Sequence, residues 1–263
     1  MTESEKERGR RAKLRVDVLL VERGLAETRS RAQSLVLAGR VLSGERRVEK
    51  SGELLPADAP LSLKERERFV SRGGEKLEGA LAALGVEVKG AICADVGAST
   101  GGFTDCLLQR GAKRVFAIDV GHGQLAQQLR LDPRVVVLER TNARHLTSET
   151  LGGKVDVVVA DVSFIGLAAL LPAFGDMLVP GGLLLALVKP QFEAGRLEVA
   201  RGKGVIRDEA VRERTVARVS SAIADAGFDL LGEVDSVLAG PKGNRERFVL
   251  ARLPHMTEPP MSA

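Results

Sequence analysis

The chain has 263 residues, 44% of them hydrophobic, enough for one or two domains with a real core. It has two cysteines, no Trp or Tyr, and a net charge of only +4. A disulfide scaffold is excluded, and no apolar run exceeds the 11 residues of "LVPGGLLLALV", too short to span a bilayer; with no signal-like N-terminus, a soluble cytoplasmic protein is expected. The charge is uneven: residues 1–72 hold 17 Lys/Arg against 12 Asp/Glu, the remainder 22 against 23. A basic N-terminal quarter fits an anionic partner docking there; from charge alone a solvated surface is the simpler reading.

Residues 1–13 read as a charged tail. Val16, Leu19 and Leu20 share one helical face. After a turn at Gly24, "ETRSRAQSLVLAG" offers Thr28 or Ser30 as an N-cap and Gly39 as a stop. "RVLSGERRVEKSGELLPADAPLSLKE" reads as short strands with turns at Ser43-Gly44 and Ser51-Gly52. Residues 14–65 thus form a small α+β module, near the lower size limit for independent folding. "RERFVSRGG" opens a linker over 66–73, a second domain follows over 74–254, and 255–263 is a tail.

In the second domain "EKLEGALAALG" is an amphipathic helix ending at Gly85. Seven apolar runs follow: "AICADVG", "RVFAIDV", "RVVVLE", "VDVVVADV", "LLLALVK", "LLGEVDSVL" and "RFVLARL". Helical patterns or loops separate them, a long one over 207–226. Strands alternating with helices predict a doubly wound α/β sheet.

The first of these strands runs into "ADVGASTGGFTD" (94–105), a Gly-rich turn ahead of an amphipathic stretch. It misses the triphosphate loop because Phe103 stands where Lys is needed. It misses G-x-G-x-x-G because Ser99 replaces the middle glycine. Asp95 repels phosphate and attracts a cation. Asp119, at the end of the second strand, is placed to accept from ribose hydroxyls, unless it is only a turn residue. An ammonium, a sulfonium and a ribose together describe S-adenosylmethionine. Two further strands end in Asp161 and Lys189. A lysine closing a fully apolar run is costly unless paired or snorkelling at an edge, and the neighbouring Asp161 favours a functional pair. Cys93, Cys106, His122, His145 and His255 show no metal-ligand spacing, so no metal is expected.

Taken in order, "SRGGEKL", "DVGASTGGFTD", "DVSFI", "VKPQFE" and "GPKGNRERF" resemble the TlyA family of ribosomal RNA 2′-O-methyltransferases, also known by the older name of haemolysins. "RVDVLLVERGLAETRSRAQSLVLAGRV" is similar to the S-four-type RNA-binding domain. The resemblance runs from about Leu14 to Leu253. It implies a Rossmann-like, seven-stranded class I methyltransferase domain of the FtsJ type, preceded by the small RNA-binding domain. The implied reaction is methyl transfer from S-adenosylmethionine to the 2′-hydroxyl of an rRNA cytidine, with ribosomal RNA or ribosomal subunits as partner and no membrane.

By motif match the family's tetrad falls on Lys76, Asp161, Lys189 and Glu246. Its cofactor positions fall on Asp95, Gly97, Ser99, Thr100, Gly101, Gly102, Phe103, Asp119, Asn142 and Asp161. Two departures stand out: Gly166 where Ser is commoner, and "VLSGERRV" without the Asn of the usual V-N-G turn. Lys189 is expected to act as base or as the cation steadying an alkoxide, oriented by Asp161, while Glu246 holds Lys76. Which lysine loses the proton stays open.

Without Trp or Tyr, RNA would be gripped through phosphates and shape. The candidates are Arg15, Arg29, Arg31, Arg46, Arg47, Arg66, Arg68 and Arg72. The segment 190–205 is either a substrate-side loop or plain surface. Three rival readings are a non-catalytic RNA-binding protein, a membrane-active haemolysin, and a dehydrogenase on the same fold. All four tetrad positions being filled, the absence of a spanning segment, and Ser99 argue against them in turn.

Overall fold

The computed structural model describes residues 13–64, 68–163, 166–194 and 204–255. The chain divides into two compact units, Met1–Glu67 and Arg68–Ala263.

In the first unit a short strand β1 (Lys13–Arg15) leads into α1 (Val16–Glu22) and α2 (Arg29–Leu37). Strands β2 (Val41–Ser43), β3 (Arg46–Arg47), β4 (Leu54–Pro56) and β5 (Leu61–Leu63) follow. β1 pairs antiparallel with β4, while β2 sits between β3 and β5 in a second antiparallel sheet. Val16, Leu19 and Leu20 pack on Ala32, Leu35 and Val36, as their helical spacing requires. Thr28, not Ser30, caps α2 by accepting from the Arg31 amide at 3.2 Å. Gly39 ends the helical stretch in the left-handed region at φ +68°, and a side chain there would collide with the Arg47 guanidinium.

Asp17 is the buried polar residue among the described residues of this unit. Arg15 donates to it at 3.0 and 2.9 Å, Arg29 at 3.2 Å and Gln33 at 3.0 Å. The Arg15 guanidinium above all holds its carboxyl far below the usual carboxylate range, against the cost of burial.

The second unit opens earlier than the linker reading implies. Phe69 is buried, the Val70 amide donates to Asp105 at 2.8 Å, and Arg72 already starts α3 (Arg72–Ala83). Beyond it come β6 (Ile92–Val96), α4 (Gly102–Gln109), β7 (Arg114–Ile118), α5 (Gln127–Arg130), β8 (Val135–Leu138), β9 (Val155–Ala160), α6 (Leu171–Met177), β10 (Leu178–Val188), α7 (Pro190–Glu193), α8 (Glu209–Asp225), β11 (Asp229–Asp235) and β12 (Arg247–Arg252). α8 resolves the 207–226 stretch as helix, capped by Asp208, which accepts from the amides of Ala210 and Val211.

The sheet order is β11-β12-β10-β9-β6-β7-β8. β8, β7, β6, β9 and β10 run parallel, whereas β12 is antiparallel to both β10 and β11. Helices cover both faces. Phe174, Met177, Val216 and Ile223 pack on one, and Leu77, Leu81, Cys106 and Leu107 on the other. Cys93 and Cys106 are free, buried thiols. From β6 the chain moves outward through β7 to β8, then returns to the other flank of β6 with β9. That reversal opens a crevice beyond the carboxyl ends of β6 and β9, where sheets of this kind bind ligands. No helix among the described residues is long and apolar enough to cross a membrane.

Candidate active site

A cleft of about 340 Å³ lies in that crevice. Of the residues expected at the cofactor, Gly97, Ser99, Asp119, Asn142 and Asp161 line it. β6 and β9 stay in contact to their ends, the Asp161 amide donating to the Val96 carbonyl at 2.9 Å. A side chain at Gly97 would therefore collide with the Asp161 carbonyl oxygen, and its φ of +89° also favours glycine. Ser99 holds a left-handed φ of +49°, unusual for a residue with a Cβ. Its amide donates to Asp119 Oδ2 at 2.8 Å, and the Gly121 amide to Oδ1 at 2.7 Å. Each Asp119 oxygen keeps a second lone pair for a ligand. Asn142 uses Oδ1 to cap the short turn Ala143–His145 through the Arg144 amide at 3.1 Å, which leaves its amide nitrogen available.

Thr100 is exposed, but Gly101, Gly102 and Phe103 do not line the cleft. They seat the start of α4. Side chains at Gly101 and Gly102 would strike Leu129 and Ser71, and the buried Phe103 ring packs 5.9 Å from Phe248. Asp95 does not line it either: it lies beneath the loop, fully buried. Thr104 donates to its Oδ2 at 2.6 Å, and Oδ1 has no partner. Burial pushes this carboxyl up to about 7; Thr104 opposes the shift, and the charges of Asp161 and Asp119 add to it.

Val120 and Gln124, which sequence reasoning missed, line the cleft on the loop after Asp119. That loop is fastened by Glu139, which accepts from the Gly123 amide at 2.9 Å, sits 2.9 Å from His122 Nδ1, and pairs with Arg130. The Gly123 amide, the Arg130 guanidinium and the hydrogen bond with His122 outweigh partial burial and hold Glu139 at about 2. A lone Glu after an apolar strand carries no pattern that foretells this.

Beside the cleft are two ion pairs. Lys189, just past β10, pairs with Asp161, just past β9, and donates to Ser163 Oγ at 3.1 Å. Lys76, on α3, is 7% exposed and donates to Glu246 Oε2 at 2.6 Å. Gly240 lets Glu246 in: a Cβ there would overlap the carboxylate. Glu246 is flanked by Arg245 and Arg247, both bound to Asp235, at 3.0 and 2.7 Å. Gln191 Nε2 donates to Glu246 Oε1 at 3.2 Å, linking the Glu246 pair to the segment that carries Lys189. Because Asp161 both lines the cleft and holds Lys189, an ammonium is fixed at the cleft's margin. As an ammonium it can steady the charge forming on a hydroxyl brought to that edge; only as the neutral amine can it take that hydroxyl's proton. No group of His, Cys, Asp and Glu that could hold a metal occurs among the described residues.

The arginines proposed to grip RNA divide sharply. Arg15 and Arg29 are committed to Asp17, and Arg46 pairs with Glu53. Arg47 lies against Gly39. Arg68 pairs with Glu78 at 2.9 Å and stacks 4.8 Å over Phe69, while Arg72 donates to the Ala239 carbonyl at 3.0 Å. Arg31 is exposed, with no acidic partner among the described residues. Arg66 lies outside the described residues, as does 195–203 of the expected substrate-side loop; Pro190–Glu193 of that loop form α7.

Residues 69–253 match the FtsJ-like methyltransferase family and residues 14–59 match the S4 domain. The 16S/23S rRNA (cytidine-2′-O)-methyltransferase TlyA of Mycobacterium tuberculosis is 49% identical over 90% of this chain and 89% of its own. Hemolysin A of Brachyspira hyodysenteriae is 41% identical, over 89% and 97%. A solved structure from Streptococcus thermophilus, provisionally called a hemolysin, has 43% identity and a TM-score of 0.71, covering 93% of this chain and 90% of that one.

Proposed function

Because this chain belongs to the FtsJ-like methyltransferase family and carries an S4 domain ahead of that part, we propose that it transfers a methyl group from S-adenosylmethionine to a ribose 2′-hydroxyl of ribosomal RNA, at a cytidine, in the cytoplasm. The observation that carries the reading is the double role of Asp161, which lines the cleft and holds the Lys189 ammonium. In the division of labour we infer, residues 14–65 bind rRNA or a ribosomal subunit, and the unit that begins at Arg68, rather than at 74, performs the chemistry.

The cleft suits the donor. Asp119 has acceptor capacity left for a ribose diol, and Asn142, on the cleft wall, would contact the adenine through its free amide nitrogen. Asp95, buried beneath the loop and outside the cleft lining, would act on a bound cation only through its charge. When bound, S-adenosylmethionine supplies a methyl group on a positively charged sulfur. Everything else falls to the chain. The 2′-hydroxyl is weakly acidic, so it must be aligned and relieved of its proton. Lys189 Nζ, oriented by Asp161 and Ser163, is the group for that proton or for the oxygen's forming charge. Glu246 keeps Lys76 in place beside it.

The test is to incubate the purified protein and S-adenosylmethionine with rRNA, and with each ribosomal subunit, from cells lacking the gene, and to map 2′-O-methyl positions. New 2′-O-methylcytidine is expected; no methylation of any of these substrates would overturn the reading. Asp119→Ala should weaken S-adenosylmethionine binding by roughly 1–3 kcal/mol. Unchanged affinity by calorimetry would remove Asp119 from the site.

A further inference from the structure

Buried polar atoms in folded proteins are nearly always hydrogen-bonded, and leaving an acceptor unpaired is destabilising. Among the described residues, once the Lys189–Asp161 ion pair is counted, two buried side-chain oxygens have no partner: Asp95 Oδ1 and Gln191 Oε1. Asp95 belongs to the cofactor side. Gln191 belongs to none of the roles assigned above.

Its amide orientation is fixed by chemistry. Glu246 Oε1 can only accept, so the group 3.2 Å from it must be the Gln191 NH2. The carbonyl oxygen is then turned from Glu246 and left without a donor. The backbone beneath it is held. The Phe192 and Glu193 amides donate to the Lys189 carbonyl at 2.9 and 3.2 Å, and the Ala194 amide to that of Pro190 at 2.8 Å. One turn on, Glu193 Oε1 accepts from the Leu167 amide at 2.8 Å. Gln191 thus sits in a fixed frame, two residues from Lys189 and bonded to the partner of Lys76. An acceptor kept unpaired in such a frame is one for which a ligand brings the donor.

We propose that Gln191 binds the methyl acceptor, its Oε1 receiving a hydrogen bond from the ribose 2′-hydroxyl. The inference rests on the methyltransferase reading above. Within an RNA chain the 3′ and 5′ oxygens are esterified, so the 2′-hydroxyl is the only donor the ribose has. An amide oxygen is too weakly basic to take the proton. Gln191 therefore orients the O–H bond and leaves proton removal to a lysine. The Gln191–Glu246 bond sets where the acceptor stands relative to the Lys76 pair.

The experiment uses the full chain, saturated with S-adenosylhomocysteine so that no turnover occurs, and an rRNA fragment centred on the nucleotide the wild type methylates. The fragment is made with 2′-hydroxyl or 2′-deoxy at that one position. Wild type should bind the hydroxyl form about five- to tenfold tighter, the worth of one hydrogen bond of roughly 1 kcal/mol. Gln191→Met has similar volume and no acceptor. It should bind both RNAs alike, retain wild-type affinity for S-adenosylmethionine, and methylate at least about tenfold more slowly. Should the Met variant melt early, Gln191→Asn, an amide one methylene too short, should lose the same discrimination. A variant that folds and still discriminates like wild type, or methylates at the wild-type rate, overturns the role of Gln191 alone. A wild type that methylates no RNA overturns the methyltransferase reading and this inference with it.

Discussion

Each unit buries an aspartate near a helix start, and the two are treated in opposite ways. Asp17, in the small unit, receives hydrogen bonds from Arg15, Arg29 and Gln33. Asp95, under the Gly-rich loop, receives one from Thr104 and keeps an oxygen unpaired. The first carboxyl is held far below its ordinary range, and the second is pushed up to about 7. A satisfied buried charge fastens a fold. An unsatisfied one is a cost carried until a ligand arrives. A related contrast separates the two units: Asp17 in the small one serves its own packing, while in the large one Asp119, Asn142 and Asp161 face a cleft.

If that contrast is functional, the largest effect must come from the cleft's margin. Lys189→Ala should lower single-turnover methylation by about 10³-fold or more, within the range for a lost general base. Its affinity for S-adenosylmethionine should stay near wild type, because the lysine is proposed to act on the acceptor, while its melting temperature should fall modestly as Asp161 loses its partner. Methylation at the wild-type rate would remove the lysine from the chemistry and leave Asp161 as a cofactor residue only.

The two aspartates sharpen the comparison. Asp17→Asn should destabilise the small unit by about 2 kcal/mol, since charged hydrogen bonds are lost while the donors remain. S-adenosylmethionine affinity should not change. The pH responses should differ in sign. Asp17 has a lowered folded pKa, so its contribution is present above about pH 4, the unfolded value, and lost as pH falls through the folded one. Asp95 has a raised folded pKa. Its contribution is therefore complete below about pH 4 and lost as pH rises through about 7. Asp95→Asn carries no such loss. In ligand-free protein its melting temperature relative to wild type should climb between pH 5 and pH 8, whereas that of Asp17→Asn should not. Parallel pH curves for Asp95→Asn and wild type would show that the carboxyl is already compensated inside the fold.

Much of this was legible in the sequence because it lies in periodicity. The seven apolar runs became seven strands, and residues closing four of them, Asp95, Asp119, Asp161 and Lys189, stand at the carboxyl end of the sheet because strand ends must. The antiparallel β12 was not legible, since an apolar run carries no direction. The close fit of Gly101, Gly102 and Phe103 against their neighbours was hidden too, for a Gly-rich loop looks alike whether its glycines face a ligand or a helix. Gln191 was invisible for a third reason. A single polar residue after a strand is ordinary, and only its distance to Glu246, 55 positions away, gives it meaning. Charge counts failed most plainly among the arginines. A formal charge says nothing about whether Asp17, Glu53 or Glu78 has already taken it.

That failure sets the smallest prediction, and it changes which residue can test RNA binding. Reversing Arg29 would place a carboxylate against the buried Asp17, and any loss of RNA affinity would be confounded with unfolding. Arg31 is exposed on the same helix and owes nothing to the core. Each phosphate neutralised by a protein cation contributes about 0.7–0.9 to the slope of log affinity against log salt. Arg31→Glu should therefore leave the melting temperature unchanged and make the slope for rRNA shallower by about one contact, with its largest loss of affinity at low salt. S-adenosylmethionine binding should be untouched, because the proposed cofactor residues belong to the other unit. Equal slopes for variant and wild type would make Arg31 a solvated helix face and leave any grip on RNA to the other candidates, Arg47 first among those described in the small unit.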